Sequence, residues 1–259
     1  MKLCAGLKLA RLPAMVKGLR KIVQHQPPKV RRGLSANALQ KAMHICLDRN
    51  NPKHANIRAA LSVAFQGLLR SAEYAWDKKG KLDMHKIMTR GDLRVLDPRK
   101  AVVMMRPCKN MRHLNGKTVP LVLAAGGSLI DSVAELRNLK RVDPDGWDTQ
   151  GDEVPLFRDP STGLPLTTDF MRDEIKRLMA TIGEDHQEFG THSLRIGGAT
   201  ALFAGGASPD VIRTMGRWSS DCYRLYVRAC WQHSLEWSKV AGSTAVTDMH
   251  SEFDEVEHY

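Results

Sequence analysis

The sequence predicts an α+β fold that is mainly helical and carries one small three-stranded antiparallel sheet. Apolar residues recur at spacings of three and four through most of the chain, as in Leu39, Met43 and Leu47. Between residues 87 and 124 the pattern changes to short apolar runs at 93–96, 101–105 and 118–123, which read as strands. Cap and stop residues bracket the helical stretches.

Residues 1–26 read as a basic helix interrupted by Pro13, and QPPKVRRG (26–33) as a linker, because two prolines cannot continue a helix. Ser35 is the expected N-cap of the next helix, which NNPKH (50–54) ends. A longer apolar helix is expected over 57–76, burying Leu61, Ala64, Phe65, Leu68 and Leu69. The polar turn CKNMRHLNGK joins the second and third strands. A helix over 129–140 is followed by a long polar loop, 143–165, rich in Pro, Gly and Asp. Thr168 or Asp169 caps another helix, which runs to Ile182. Gly190 and Thr191 open a helix with His192 and Arg195 in its first turns. Ser208 caps the next, with Pro209 at its first position and Gly216 at its end. Ser219 or Ser220 caps a last helix carrying Tyr223 and Tyr226.

With 259 residues, 42% of them hydrophobic and 26% charged, the chain can bury one sizeable core. No apolar run approaches the ~18 residues that span a bilayer, so no membrane partner is expected. Five scattered cysteines without C-x-x-C spacing argue against a disulfide framework or a zinc site and fit a reducing compartment. The formal net charge of +11 points to a polyanionic partner. Residues 1–32 contain no acid, and residues 241–259 contain no Lys or Arg. A basic N-terminus of this kind also fits organelle import, although the segment is poor in serine.

The densest chemistry lies in THSLRIGGATALFAGGASPDVIRTMGRWSSDCYRLYVR (191–228). His192 and Arg195 stand one helical step apart near a helix N-terminus, where backbone N–H groups also favour anions. Arginine suits a phosphodiester because its planar fork binds two oxygens and stays charged. A nucleophile would be a tyrosine, activated by cations or a base since a phenol ionises only near pH ~10. Tyr259 ends the acidic tail and Tyr74 adjoins Glu73, which leaves Tyr223 and Tyr226 among Arg217, Arg224 and Arg228. The plainer alternative for either tyrosine is a core aromatic.

His-x-x-Arg, Gly-Arg-Trp and Tyr-Val-Arg in this order resemble the catalytic domain of the tyrosine recombinases, the phage-integrase family. The wording HSLRIGGAT…GRWSSDCYRLYVR is most similar to the eukaryotic branch found in cryptons and DIRS-type retrotransposons. The resemblance covers residues 34–235 and implies the fold of DNA breaking-rejoining enzymes. GLLRSAEY (67–74) is similar to the family's first-arginine motif, which implies Arg70 as a second phosphate-binding arginine and Glu73 as its supporting acid. The turn RPCKN implies Lys109 as the general acid, with Lys117 on the other arm of the hairpin as the alternative. Trp218 stands where the family has His or Trp. Tyr226 stands at the nucleophile's place, eight residues beyond it, and Tyr223 is the alternative.

The resemblance further implies site-specific recombination or integration through a 3′-phosphotyrosine intermediate, with no cofactor and no metal. Its partners would be double-stranded DNA and further copies of the chain assembled on DNA, with a helix at 231–240 docking on a neighbour. On this reading residues 1–33 are the end of a core-binding domain, 34–240 the catalytic domain and 241–259 an acidic flexible tail. The site of action is the nucleus, or the nucleoid in a prokaryotic host. Two other functions fit the same residues. One is relaxation of DNA as by a type IB topoisomerase. The other is non-catalytic DNA binding through the two short helices of 208–228.

Overall fold

A computed structural model describes residues 31–78, 81–106, 118–147, 151–227 and 239. The described residues from Arg32 onward belong to one compact unit. The expected helix over 1–26, the turn with Lys109 and Lys117, the tail at 241–259 and all but Lys239 of the helix at 231–240 lie outside the described residues.

Among the described residues the architecture is mainly helical, with seven α-helices and one three-stranded antiparallel sheet, as the sequence predicts. Helix α1 (Ala36–Cys46) starts where the Ser35 hydroxyl accepts from the Ala38 N–H at 3.2 Å. Its stripe of Leu39, Ala42 and Met43 is buried. Helix α2 (Pro52–Gln66) is the central element, buried at every position from Ala55 to Phe65. It begins earlier than the apolar pattern indicates, because the Asn51 side chain caps the Lys53 and His54 N–H groups and Pro52 occupies the first turn.

The sheet runs β1 (Leu93–Asp97), β2 (Lys100–Met105) and β3 (Val119–Ala124) in that order. Leu93 pairs with Val103, and Met105 with Val119. Alternation turns Ala101, Val103, Met105, Leu121 and Leu123 into the core, each full burial being worth roughly 1.5–3 kcal/mol for the larger side chains. Helix α4 (Ser132–Val142) packs along α2. It starts three residues later than expected because the Asp131 side chain caps the Ala134 N–H at 2.9 Å. Helix α5 (Thr168–Thr181), capped by Thr167 rather than Thr168 or Asp169, lies against α1. Helix α6 (Thr191–Ala204) packs on α2, and α7 (Pro209–Met215) on α6.

Two further expectations are corrected. The helix drawn over 57–76 stops at Gln66, and after a left-handed residue, Leu68, a four-residue helix α3 (Ser71–Tyr74) follows. The last helix is a 3-10 turn over Asp221–Leu225, with Tyr226 just past its end.

The polar loop between α4 and α5 conceals a buried network. The Asp143 carboxylate accepts from Asn56 Nδ2 at 2.8 Å, Arg90 Nη2 at 2.5 Å, Arg158 Nε at 3.0 Å and also Arg158 Nη2. Burial alone would raise the Asp143 pKa. The hydrogen bonds from Arg158, Asn56 and Arg90 overcome it and hold the carboxyl down at about 2. This knot ties the loop to α2 and to the 3-10 turn Arg90–Asp92 ahead of the sheet.

Candidate active site

Two helix ends build the site. At the end of α2 the Leu68 N–H bonds to the Phe65 carbonyl at 3.3 Å and the Leu69 N–H to Ala64 at 2.9 Å. At the end of α7 the Arg217 N–H bonds to Thr214 at 3.0 Å and the Trp218 N–H to Arg213 at 3.0 Å. Both are Schellman closures, whose left-handed position usually holds glycine. Here it holds Leu68 (φ 49°) and Arg217 (φ 55°), at a cost of about 1–3 kcal/mol each. The preceding glycines serve packing instead. A Cβ on Gly67 would press into Leu121 and one on Gly216 into the Trp218 ring.

Arg195 spans the two ends. Its Nη1 donates to the Leu68 carbonyl and its Nη2 to that of Gly216 at 2.7 Å, where the negative ends of the helices favour a cation. Its guanidinium carbon lies 4.0 Å from the Trp218 ring centroid and 5.4 Å from that of Tyr226. The residue is 0% exposed, and its Nε has no hydrogen-bond partner. Burial first, and then the charge of Arg70, press its pKa down to about 10.

Arg70, at the start of α3, gives its backbone N–H to Glu73 Oε2 at 2.8 Å and its Nη1 to Glu73 Oε1 at 3.0 Å. Arg217 Nη2 reaches the same carboxylate at 3.1 Å. Two guanidinium groups therefore share one buried carboxylate, while Arg195 nearby bonds to carbonyls, which leaves a local excess of positive charge.

His192, exposed in the first turn of α6, places Nε2 3.0 Å from the Tyr226 hydroxyl. The Tyr226 ring is half-buried, with its centroid 5.1 Å from that of Trp218, and its carbonyl accepts from Thr200 Oγ1 at 3.3 Å. Tyr223, by contrast, is buried with Leu68, Ala199, Ile212 and Trp218 as a core aromatic. Arg70, His192, Arg195, Trp218 and Tyr226 thus converge, although α3, the sheet, α4, α5 and α7 lie between them in sequence. Lys109 and Lys117 lie outside the described residues. Arg217 was legible only as a cation near the tyrosines; its left-handed place behind Gly216 is a matter of backbone closure that no residue pattern announces.

Among the described residues no group of three or more His, Cys, Asp or Glu is arranged to hold a metal ion. No described helix is long and apolar enough to cross a membrane.

No protein-family model and no curated protein matches the chain. Solved structures do. The XerH site-specific recombinase bound to difH substrate in a pre-cleavage complex superposes with a TM-score of 0.58 and 15% identity over 93% of this chain and 67% of that one. The XerA recombinase gives 0.57 and 17% identity over 90% of this chain and 75% of that one. The Tn1549 transposon integrase in complex with transposon right end DNA gives 0.52 and 14% over 90% and 76%. This chain has their fold. It spans 55% of the length of the XerH chain in the post-cleavage complex.

Proposed function

We propose that the chain is a DNA strand-transferase that recombines or integrates DNA at specific sites by the chemistry of the tyrosine recombinases. The contact between His192 Nε2 and the Tyr226 hydroxyl at 3.0 Å carries this reading. Tyr226 Oη attacks the phosphorus of a phosphodiester as its proton passes to His192 Nε2. The bond from phosphorus to the 5′ oxygen breaks, and that oxygen takes a proton from Lys109, or from Lys117. The 3′ phosphate is left on Tyr226. A 5′ hydroxyl from another strand then reverses the step, so no energy source is consumed.

Arg70 and Arg195 meet the charge that grows on the non-bridging oxygens. Arg195 does so by exchanging a carbonyl for a phosphate oxygen while Trp218 keeps its plane fixed. No metal or cofactor enters this scheme. Residues 34–240 act as the catalytic domain, with double-stranded DNA and further copies of the chain as partners. The wording of the motifs favours the crypton and DIRS branch, hence action in the nucleus, or at the nucleoid in a prokaryotic host. Affinity for DNA falls steeply with salt, as phosphate contacts require.

Incubating the full chain with a pool of nicked duplexes of randomised core, then denaturing with detergent, tests the reading. A protein–DNA adduct is expected, absent from Tyr226→Phe and present in Tyr223→Phe. The full burial of Arg195 favours a second reading, a DNA-binding protein without catalysis. Tight binding with no adduct from any duplex would establish that one instead.

A further inference from the structure

Arg217 belongs to no role assigned so far, yet its position is the least comfortable in the site. It occupies the left-handed place of the α7 closure (φ 55°), which glycine would fill without strain. Its side chain is 9% exposed and reaches the arginine motif near residue 70 as well as its own helix. Nη1 donates to the Met215 carbonyl at 2.8 Å and to Gly67 at 3.2 Å. Nη2 donates to the carbonyls of Gly67 and Leu68, both at 3.2 Å, and to Glu73 Oε2 at 3.1 Å. The Leu68 carbonyl is also the acceptor of Arg195 Nη1. Of the three non-glycine residues with positive φ among the described residues, Leu68 and Arg217 are the two that meet here.

We propose that Arg217 is a positioning residue that sets the two phosphate-binding arginines relative to each other. Through Glu73 it holds Arg70, which shares that carboxylate at 3.0 Å. Through the Leu68 carbonyl it holds the acceptor of Arg195. Its charge also balances Glu73, so that Arg70 keeps its own charge for an incoming phosphate rather than spending it on the carboxylate. Arg217 itself faces backbone carbonyls and Glu73. The inference rests on the strand-transferase reading for its consequence, though not for its geometry.

The test is Arg217→Gly in the full chain. Glycine relieves the left-handed backbone but removes an ion pair to buried Glu73, which Arg70 still neutralises, so the variant is expected to fold with a lowered melting temperature. Under single-turnover conditions on a nicked duplex that yields adduct, the cleavage rate should fall by about tenfold to a hundredfold while the DNA dissociation constant moves less than about threefold. In a Glu73→Gln background the same substitution should cost clearly less in rate than in the parent, because part of its action runs through that carboxylate, and an equal cost would overturn the proposal. An unchanged rate, or an equal loss in DNA affinity and rate, overturns the proposal; the latter would make Arg217 a phosphate contact. The DNA-free protein gives an independent arm. The side-chain Nε–Hε resonance of Arg70, assigned by its loss in Arg70→Lys, should shift and broaden in Arg217→Gly, and its persistence unchanged would also overturn the proposal. If the parent protein forms no adduct, the strand-transferase reading fails alone and this resonance still decides the place of Arg217.

Discussion

His192 and Tyr226 stand 34 positions apart in sequence, and their side chains meet at 3.0 Å. The fold reaches this by setting His192 in the first turn of α6 and Tyr226 at the end of a 3-10 turn that returns across the same helix. A tyrosine hydroxyl beside an exposed imidazole has a proton acceptor within reach and remains open to a ligand. His192→Ala is therefore expected to leave stability within about 0.5 kcal/mol, since the side chain is exposed. The same change should slow adduct formation by on the order of 100-fold, the usual share of a positioned base. Urea denaturation and single-turnover cleavage measure the two effects separately, and a rate that stays near the parent's would remove His192 from the mechanism.

Arg195 sets stability against function. Its charged form is disfavoured by burial, with a pKa down to about 10. The folded protein thus holds this proton less tightly than the unfolded chain does. That penalty, about 3 kcal/mol, is fully present at neutral pH and shrinks as pH rises above about 10. Arg195→Met removes it, but also removes the stacking on Trp218 and the donor to Gly216, worth about 1–3 kcal/mol each. The Leu68 carbonyl keeps Arg217 as a donor. Net stability at pH 7 should lie within about 2 kcal/mol of the parent, with no adduct formed. Arg195→Ala, which adds a cavity, should lose about 3 kcal/mol or more. Raising the pH from 8 to about 10.5 should move the difference between parent and Arg195→Met toward the parent. A difference that ignores pH would mean the buried guanidinium carries no such cost.

Much of this site could be read from residues alone, because local chemistry governs it. Ser35 and the Ser208-Pro209 pair cap the helices expected of them, and the three apolar runs pair in the order in which they occur. His192, Arg195 and Trp218 come to one place because they flank two helices joined by a short connection. What escaped is set at long range. The apolar run through GLLRSAEYAW reads as continuous helix, yet Leu68 turns left-handed and offers its carbonyl to arginines 127 and 149 positions away. Asp143 opens a stretch that reads only as a polar loop, yet its partners Arg90 and Asn56 come from 53 and 87 positions away. Charge in a sequence does not reveal its partner.

That Asp143 knot governs the response to acid. Its carboxyl titrates at about 2 in the folded chain, below the ordinary ~3.9 of an aspartate, so the folded state favours the ionised form. The gain, about 2.5 kcal/mol, is complete above pH ~4 and is lost as pH falls toward 2. Asp143→Asn leaves buried Arg90 without its paired carboxylate and Arg158 with Asp145 alone, and should cost about 3–5 kcal/mol at pH 7. Its stability should change less than the parent's between pH 4 and 2, which urea titrations at several pH values would measure. Parallel acid profiles for the two proteins would place the pH sensitivity elsewhere.

Gly198 sets how closely α6 approaches α2, and so whether Arg195 reaches the Leu68 carbonyl. A Cβ there would overlap the Phe65 carbonyl oxygen and meet Leu68 Cδ2 at 2.5 Å. Phe65 is itself the acceptor that closes α2, so neither contact can yield without opening the helix end. Gly198→Ala is expected to destabilise the fold by about 1–3 kcal/mol, the cost of overpacking, and to lower the cleavage rate further than stability alone accounts for. Gly205→Ala is the control. Gly205 ends the same helix at φ −79°, and a Cβ there comes no nearer than 3.3 Å, to the Ala201 carbonyl. That change should stay within about 0.5 kcal/mol of the parent. Equal losses in the two variants would mean that the helix tolerates alanine poorly throughout, and that the approach of α6 to α2 is not what holds Arg195 in place.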